Sequence, residues 1–336
     1  MKYDFPKLDL HLHLDGSVIP EIVWELSKTR NVEVPGGSIE GYKKFLIDTC
    51  NCKDVNEYLK RFAQPLEVLQ DKEGIIIATK GLVELLSSQG VRYAEIRFAP
   101  QLHTQKGLTQ TDAIEAVLEG VNQADEPNTE IGVICCAMSL GEETINMSEN
   151  LETMTAAKKY IGKGVVAVDL AGAEGIIPLN RFSPIFDLAR ELELSFTCHA
   201  GDSDGANTCW DALGFGTKRI GHGHRSYEDM DLCKELIKSK VTLEVCPTSN
   251  IQCHTQPSYS EHSLKKLFDM GVSVTINTDN MILADVNLDK EYDHCINEMG
   301  FGYNDLVTMN INSVKASFMN EDKKEKLIKE LETYYR

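Results

Sequence analysis

Apolar residues recur along this chain in eight short runs, each rich in Val, Ile or Leu, with helically patterned stretches between them. The runs are Lys7–Leu14, Arg92–Ala99, Ile131–Met138, Val165–Gly172, Leu194–Gly201, Arg219–Gly223, Val241–Pro247 and Val272–Asp279. Strand-length runs that alternate with helices predict parallel strands, each reached through a crossover helix. Eight such units predict an α/β fold, a single (β/α)8 TIM barrel that takes in residues 1–336 as one domain. Ser183-Pro184 reads as an N-cap followed by Pro at the first helical position, leading into Ile185–Leu192. Asp229–Ile237 and Glu261–Met270 carry apolar residues at helical spacing, and Gly271 follows the second as a C-terminal stop. Asn304–Phe318 and Glu321–Tyr335 close the chain as helices. The first connection is the longest, so the segment from Pro20 to about Leu69 predicts a helical insertion after the first strand, lying over one end of the barrel.

The unusual polar residues sit at the ends of these runs. His11 and His13 lie in the first, Gly172 ends the fourth, His199 and Asp202 finish the fifth, His222 lies in the sixth and Asp279 ends the eighth. Barrel active sites are built at the C-terminal ends of the strands, so these residues converge in space. Strand side chains alternate faces, so His11 and His13, two apart, point the same way. His199 and Asp279 can add ligands from the fifth and eighth strands. Three imidazoles and a carboxylate suit zinc and leave a position for water. One histidine in a strand is usually a buried, hydrogen-bonded core residue; the whole set at these strand ends argues for a metal. The others, His103, His224, His254, His262 and His294, read as surface or supporting residues.

Composition narrows the partner. The formal net charge is −18 over 336 residues. Such a chain repels polyanions and anionic membranes, which excludes nucleic acid and membrane surfaces and favours a neutral or cationic small molecule. The ten cysteines sit mostly inside apolar runs, and the chain is not disulfide-dense. The first residues show no apolar leader, and no 18-residue apolar run occurs. The expectation is a cytoplasmic enzyme with free thiols; nothing in the sequence sets its oligomeric state.

Six motifs then stand in order: His11-Leu12-His13-Leu14-Asp15-Gly16-Ser17, Asp169-Leu170-Ala171-Gly172, His199-Ala200-Gly201, Arg219-Ile220-Gly221-His222-Gly223, Cys246-Pro247-Thr248-Ser249 and Asn277-Thr278-Asp279. Together they resemble the signatures of the adenosine deaminase family, over nearly the whole chain. The resemblance implies one zinc ion per chain, held by His11, His13, His199 and Asp279. It implies Asp202 as the acid and His222 beside the water that zinc activates. It also implies a purine nucleoside as substrate, contacted by His13, Asp15, Gly172 and Asn280, and a role in purine salvage: adenosine, and with it 2′-deoxyadenosine, would yield inosine or deoxyinosine and ammonia.

The chemistry needs these groups. Zinc lowers the pKa of bound water towards roughly 7, which supplies a nucleophile. His222 can take a proton from that water or hold the resulting hydroxide. A carboxylic acid at N1 makes C6 more electrophilic, and such acid–base groups typically contribute about 10²–10⁴-fold. N3 and N7 of the purine are acceptors, so the protein must present donors: the backbone N–H of Gly172 for N3 and the Asn280 amide for N7. Asp15 can accept a ribose hydroxyl. Three positions depart from the family's usual pattern: Asp202 replaces Glu, Asn280 replaces a second Asp and Ala173 replaces an acidic residue. Asp202 keeps the acid but sets it one methylene nearer the backbone, and Glu174 is the fallback, expected to point away from the site.

Rival readings fit less well. Binuclear relatives of the superfamily often use a carboxylated lysine at the end of the fourth strand, where this chain has Asp169-Leu170-Ala171-Gly172. The zinc cytidine deaminase signature, H-x-E followed by P-C-x-x-C, is missing. A deaminase of a modified adenine nucleoside, or a weakly active purine-binding relative, is the alternative that the short Asp202 side chain raises.

Overall fold

Each of the eight runs contains a strand in the computed structural model, which describes residues 3–50, 52, 55–125, 128–140 and 146–336. The strands are β1 (Lys7–His13), β2 (Val91–Phe98), β3 (Glu130–Ser139), β4 (Val165–Gly172), β5 (His199–Ala200), β6 (Arg219–His222), β7 (Thr242–Val245) and β8 (Ser273–Ile276). All pairings are parallel, in two four-stranded halves, β1-β2-β3-β4 and β5-β6-β7-β8. Isolated bridges join the halves at both seams. Val168 N–H donates to Ser195 O at 3.0 Å and Thr197 N–H to Val168 O at 3.1 Å, ahead of β5. At the other seam His13 N–H donates to Asp279 O at 2.7 Å and Asp279 N–H to His11 O at 2.8 Å. The seam that joins first strand to last therefore runs through three of the proposed metal ligands.

The alternation of β1 separates two environments. Leu8, Leu10 and Leu12 are fully buried in the main apolar cluster, which packs sheet against helices. Burial of each such side chain stabilises by about 1.5–3 kcal/mol. Asp9 and His11, the alternate residues, join a polar set of buried charges inside the barrel: Glu95, Arg97, Asp169, Arg219 and Glu244.

The helices follow the pattern with small shifts. Asp229 caps Met230–Ser239, its Oδ1 accepting from Asp231 N–H at 2.9 Å and Leu232 N–H at 3.2 Å. Gly271, after Leu264–Asp269, has φ +88°, as a C-terminal stop requires. Tyr303–Ala316 and Glu321–Glu332 close the fold. Ser183 is a correction: it is the first helical residue of Ser183–Glu191, Phe182 holds the cap position, and no side chain caps that end. A preceding 3-10 turn, Leu179–Phe182, already brings the chain in with helical dihedrals, so Ser183 has no extended conformation from which to cap.

The insertion after β1 forms helices at Pro20–Arg30, Ile39–Asp48, Val55–Leu59 and Ala63–Val68; its residues 51, 53 and 54 lie outside the described set. Tyr58, Leu59, Phe62 and Leu66 from this segment line a cavity at the C-terminal ends of the strands. All ten cysteines are free thiols, and only Cys50 is even partly exposed. Among the described residues no helix is long and apolar enough to cross a membrane.

Candidate active site and its buried support

The four proposed ligands meet at one point. His13 Nε2 lies 3.3 Å from His199 Nε2. Asp279 Oδ1 lies 3.4 Å from His13 Nε2 and 3.5 Å from His11 Nε2. The far side of each of three ligands is held. His11 Nδ1 is 2.9 Å from Glu244 Oε2, His199 Nδ1 is 3.0 Å from Asp169 Oδ2, and Ser249 Oγ donates to Asp279 Oδ2 at 2.7 Å. His11 Nε2 is a buried polar atom with no hydrogen-bond partner among the described residues. Burial, with the Arg97 charge beside it, lowers the His11 imidazole to about 4. The ring is therefore neutral and its lone pair free to ligate. Convergent Nε2 atoms, a carboxylate and outer partners that orient the rings fit a zinc-type cation.

Two residues of this centre sit in left-handed backbone: His222 at φ +60° and Asp279 at φ +59°. That region is uncommon for residues other than Gly and costs on the order of 1–3 kcal/mol each. The β1–β8 seam holds Asp279 there, and pairing of Ala200 with His222 in the β5–β6 ladder holds the other.

An open cavity of about 960 Å³ lies against this centre. His13, Asp15, Gly172, His199, Asp202, His222, Asp279 and Asn280 all reach it, and Phe62, Leu102 and Met138 supply apolar wall. His11 lies beneath, fully buried. Asp15 is buried with Oδ1 unpartnered among the described residues, and burial pushes its carboxyl up to about 6. Asn280 occupies space that only a glycine at position 16 leaves open: a Cβ on Gly16 would meet Asn280 Oδ1 at 1.8 Å. Gly172 has φ +107°, and a Cβ there would meet Ser139 O at 2.6 Å. Gly172→Ala is therefore expected to shift this strand end, raising KM for a purine nucleoside and lowering stability by about 1–3 kcal/mol. Unchanged KM and melting temperature would show that the close approach has no consequence.

Asp202 is held from two sides. Asn250 Nδ2 donates to its Oδ1 at 2.8 Å and Thr255 Oγ1 donates to the same oxygen at 3.1 Å. Its backbone is held by Glu174, whose carboxylate accepts from the N–H groups of Gly201 (2.6 Å), Asp202 (2.8 Å), Ser203 (2.7 Å) and Asp204 (3.1 Å), and from Thr208 Oγ1 (2.6 Å). Four consecutive amides around one carboxylate make an anion nest. Burial, and then the charge of Asp202, raise the Glu174 carboxyl above its ordinary value. Glu174 thus braces the loop that carries Asp202.

Sequence reasoning passed over the support beneath the centre. Arg97 Nη1 lies 2.9 Å from Asp169 Oδ2 and Arg97 Nη2 2.7 Å from Glu244 Oε2; Arg219 Nε lies 2.6 Å from Glu244 Oε1, and Arg219 also pairs with Glu95. Glu244 thereby joins two guanidiniums to His11. The available signal was a charged residue inside four of the apolar runs: Arg97 in β2, Asp169 in β4, Arg219 in β6 and Glu244 in β7. Among the remaining histidines, His103, His224 and His262 are buried, not superficial. His103 Nδ1 bonds Leu69 O at 2.8 Å, and His224 Nδ1 lies 3.7 Å from Asp202 Oδ1. His254 is exposed, and His294 is half-buried and stacks on Tyr259 at 3.8 Å between ring centroids.

The adenosine deaminase family model matches residues 6–334. The adenosine deaminase of Haemophilus ducreyi is 40% identical over 324 residues, 94% of this chain and 93% of that one. That of Clostridium acetobutylicum is 36% identical over 331 residues, 98% of each chain. Among solved structures, adenine deaminase from Arthrobacter aurescens has a TM-score of 0.89 at 25% identity and covers 98% of this chain and 99% of its own. An amidohydrolase from Burkholderia ambifaria, solved with bound Zn, has the same fold, with a TM-score of 0.85 at 19% identity over 98% of this chain and 91% of that one. Family match, full-length relatives and barrel agree, and the chain belongs to the adenosine deaminase family, hydrolases that remove the amino group of adenosine.

Proposed function

We propose that residues 1–336 act as one catalytic domain that binds one zinc ion through His11, His13, His199 and Asp279 and deaminates adenosine and 2′-deoxyadenosine. The observation that carries this reading is the meeting of three imidazoles and a carboxylate at the floor of a cavity, with Asp279 Oδ1 within 3.5 Å of the His11 and His13 Nε2 atoms and His199 Nε2 3.3 Å from that of His13. The zinc found in the Burkholderia ambifaria amidohydrolase supports the choice of metal. Zinc, when bound, supplies Lewis acidity that makes water a nucleophile near neutral pH.

The chain's own residues do the rest. Asp202 keeps one oxygen in hydrogen bonds from Asn250 and Thr255, so its other oxygen is the one to carry a proton to N1 of the purine. Proton transfer to N1 draws electrons from the ring and exposes C6 to attack. His222 stands beside the ligands, its ring centroid 4.8 Å from that of His11, and orients the attacking water. Gly172 offers its N–H to N3, the Asn280 amide faces N7 and Asp15 accepts a ribose hydroxyl. The apolar wall from Phe62, Leu102 and Met138 covers the base and keeps water from competing.

Purified protein is expected to carry about one zinc per chain and to release ammonia from adenosine, with a strong chelator abolishing both zinc and turnover. Elemental analysis showing two tightly held metals per chain would replace this reading with a binuclear one. His222→Ala is expected to keep the zinc, because four other groups ligate it, and to lose about 10²–10³-fold in kcat. A variant that folds but comes out zinc-free would make His222 a ligand.

A further inference from the structure

The hydrogen bonds behind His222 have a direction, and both of their ends are unambiguous. At one end the backbone N–H of Leu264, which can only donate, points at His262 Nδ1 at 3.0 Å. His262 Nδ1 is therefore an acceptor and the ring carries its proton on Nε2. Burial lowers His262 to about 3, which keeps the ring neutral. His262 Nε2 lies 3.2 Å from Asn250 Oδ1, so this N–H donates to the amide oxygen. The Asn250 amide is thereby oriented, with both Nδ2 hydrogens on its far side. One goes to Asp202 Oδ1 at 2.8 Å, the other end at which polarity is clear, since a carboxylate oxygen accepts. The second faces His222 Nδ1 at 3.2 Å. A donor faces that nitrogen, so Nδ1 must accept. Leu264 and Asn250 are fully buried, and His262 and His222 nearly so, so bulk water does not substitute for any of these partners.

We propose that His262 and Asn250 are positioning residues that hold the ring proton of His222 on Nε2, so that His222 meets the attacking water as a hydrogen-bond donor. Of the two roles open to this residue, taking the proton or holding the nucleophile, the wire selects holding. An Nε2 that already bears its proton cannot accept another unless Nδ1 loses the Asn250 contact. The same amide serves Asp202, so one side chain sets the acid and the donor together: Asp202 keeps one oxygen as an acceptor while His222 keeps one nitrogen as an acceptor. Asn250 follows Ser249 of the Cys246-Pro247-Thr248-Ser249 motif, within the short helix Pro247–Gln252, and His262 stands just before the helix Leu264–Asp269. A short helix and a loop, both beyond β6 in the chain, therefore decide which hydrogen His222 presents. The inference rests on the reading above only for the location of the reacting water.

The test is the tautomer itself. Protein labelled with ¹⁵N in its nine histidine rings and loaded with zinc is examined by long-range ¹H–¹⁵N correlation, His222 being assigned by its disappearance in H222A. The expected pattern is a neutral ring protonated at Nε2; protonation at Nδ1, or at both nitrogens, overturns the proposal. Asn250→Asp replaces the donor with an acceptor and is expected to move the His222 proton to Nδ1 and lower kcat by about 10²-fold, the scale for loss of one oriented donor, with KM changed less. His262→Leu is expected to lose kcat in the same direction, and His262→Gln, whose amide can still donate to Asn250 Oδ1, to recover most of that loss. If His262→Leu does not fold, the wild-type spectrum and Asn250→Asp decide alone. An unmoved tautomer and unchanged kcat in Asn250→Asp would overturn the wire. Normal turnover in H222A together with an Nε2–H ring would instead overturn the role of His222 in the reaction and leave the wire standing.

Discussion

Asp202→Asn is expected to lower kcat for adenosine by at least about 10²-fold while zinc and purine binding persist, within the usual range for general acid catalysis. Asn keeps the size of the side chain and can still accept from Asn250 Nδ2 and Thr255 Oγ1, the two donors now on Oδ1. It cannot give an acidic proton to N1. Asp202→Glu should retain measurable turnover, since it keeps the carboxyl at one more methylene of reach. The comparison that decides the acid is Glu174→Gln. Its carboxylate sits among four backbone N–H groups and Thr208 Oγ1, so an amide there places its own N–H₂ against donors. Unsatisfied buried donors cost about 1–3 kcal/mol. Glu174→Gln is therefore expected to lower the melting temperature and to reduce kcat less than Asp202→Asn. Near-normal turnover in Asp202→Asn with collapse in Glu174→Gln would transfer the role of acid to Glu174.

Glu244→Gln is expected to lose both stability and metal. Burial acts upward on the Glu244 carboxyl, but Arg219 and Arg97 outweigh it and keep it well below its usual range, so it stands as an anion between two fully buried guanidiniums. Gln of similar shape leaves those cations without their shared counter-charge. Removing one partner from a buried ion network typically costs about 3–5 kcal/mol. Glu244 also holds His11 Nδ1, and loss of a partner that orients a metal-bound imidazole typically costs about 10–100-fold in metal affinity. Chemical denaturation of the zinc-loaded protein and competition with a zinc chelator read the two effects separately. A loss below about 1 kcal/mol with unchanged zinc affinity would show that the two arginines find other partners and that His11 keeps its orientation without Glu244.

Much of this molecule can be read along the chain, for physical reasons that are local. The period-two alternation of Leu8, Leu10 and Leu12 with Asp9, His11 and His13 is itself the statement that one face of β1 packs on helices and the other looks inward, because strand side chains alternate whatever surrounds them. Eight such runs divided by helical patterns leave few architectures besides a parallel barrel, and a barrel brings its strand ends together. That is why the sequence predicts that His11, His13, His199, Asp202, His222 and Asp279 meet; five of them line one cavity and His11 lies beneath it, against Asp279. What the chain does not display is which polar atom faces which. Glu244 stands in an apolar run where nothing local distinguishes an inward charge from a strand-edge charge; only barrel closure sets Arg97, Arg219 and His11 around it. His262 lies 40 residues beyond His222 in the numbering of the chain. No periodicity relates it to that residue, and the donor that orients it is a backbone N–H two residues further on. Glu174 reads as a loop acid until the turn after β5 wraps its amides around it. Ser183, conversely, looks like a cap by its neighbours and is not one, since the preceding turn has already committed the backbone to helical dihedrals. Periodicity is written into a strand or helix by its own geometry, whereas hydrogen-bond direction and charge pairing depend on atoms that only closure of the barrel brings within about 3 Å of one another.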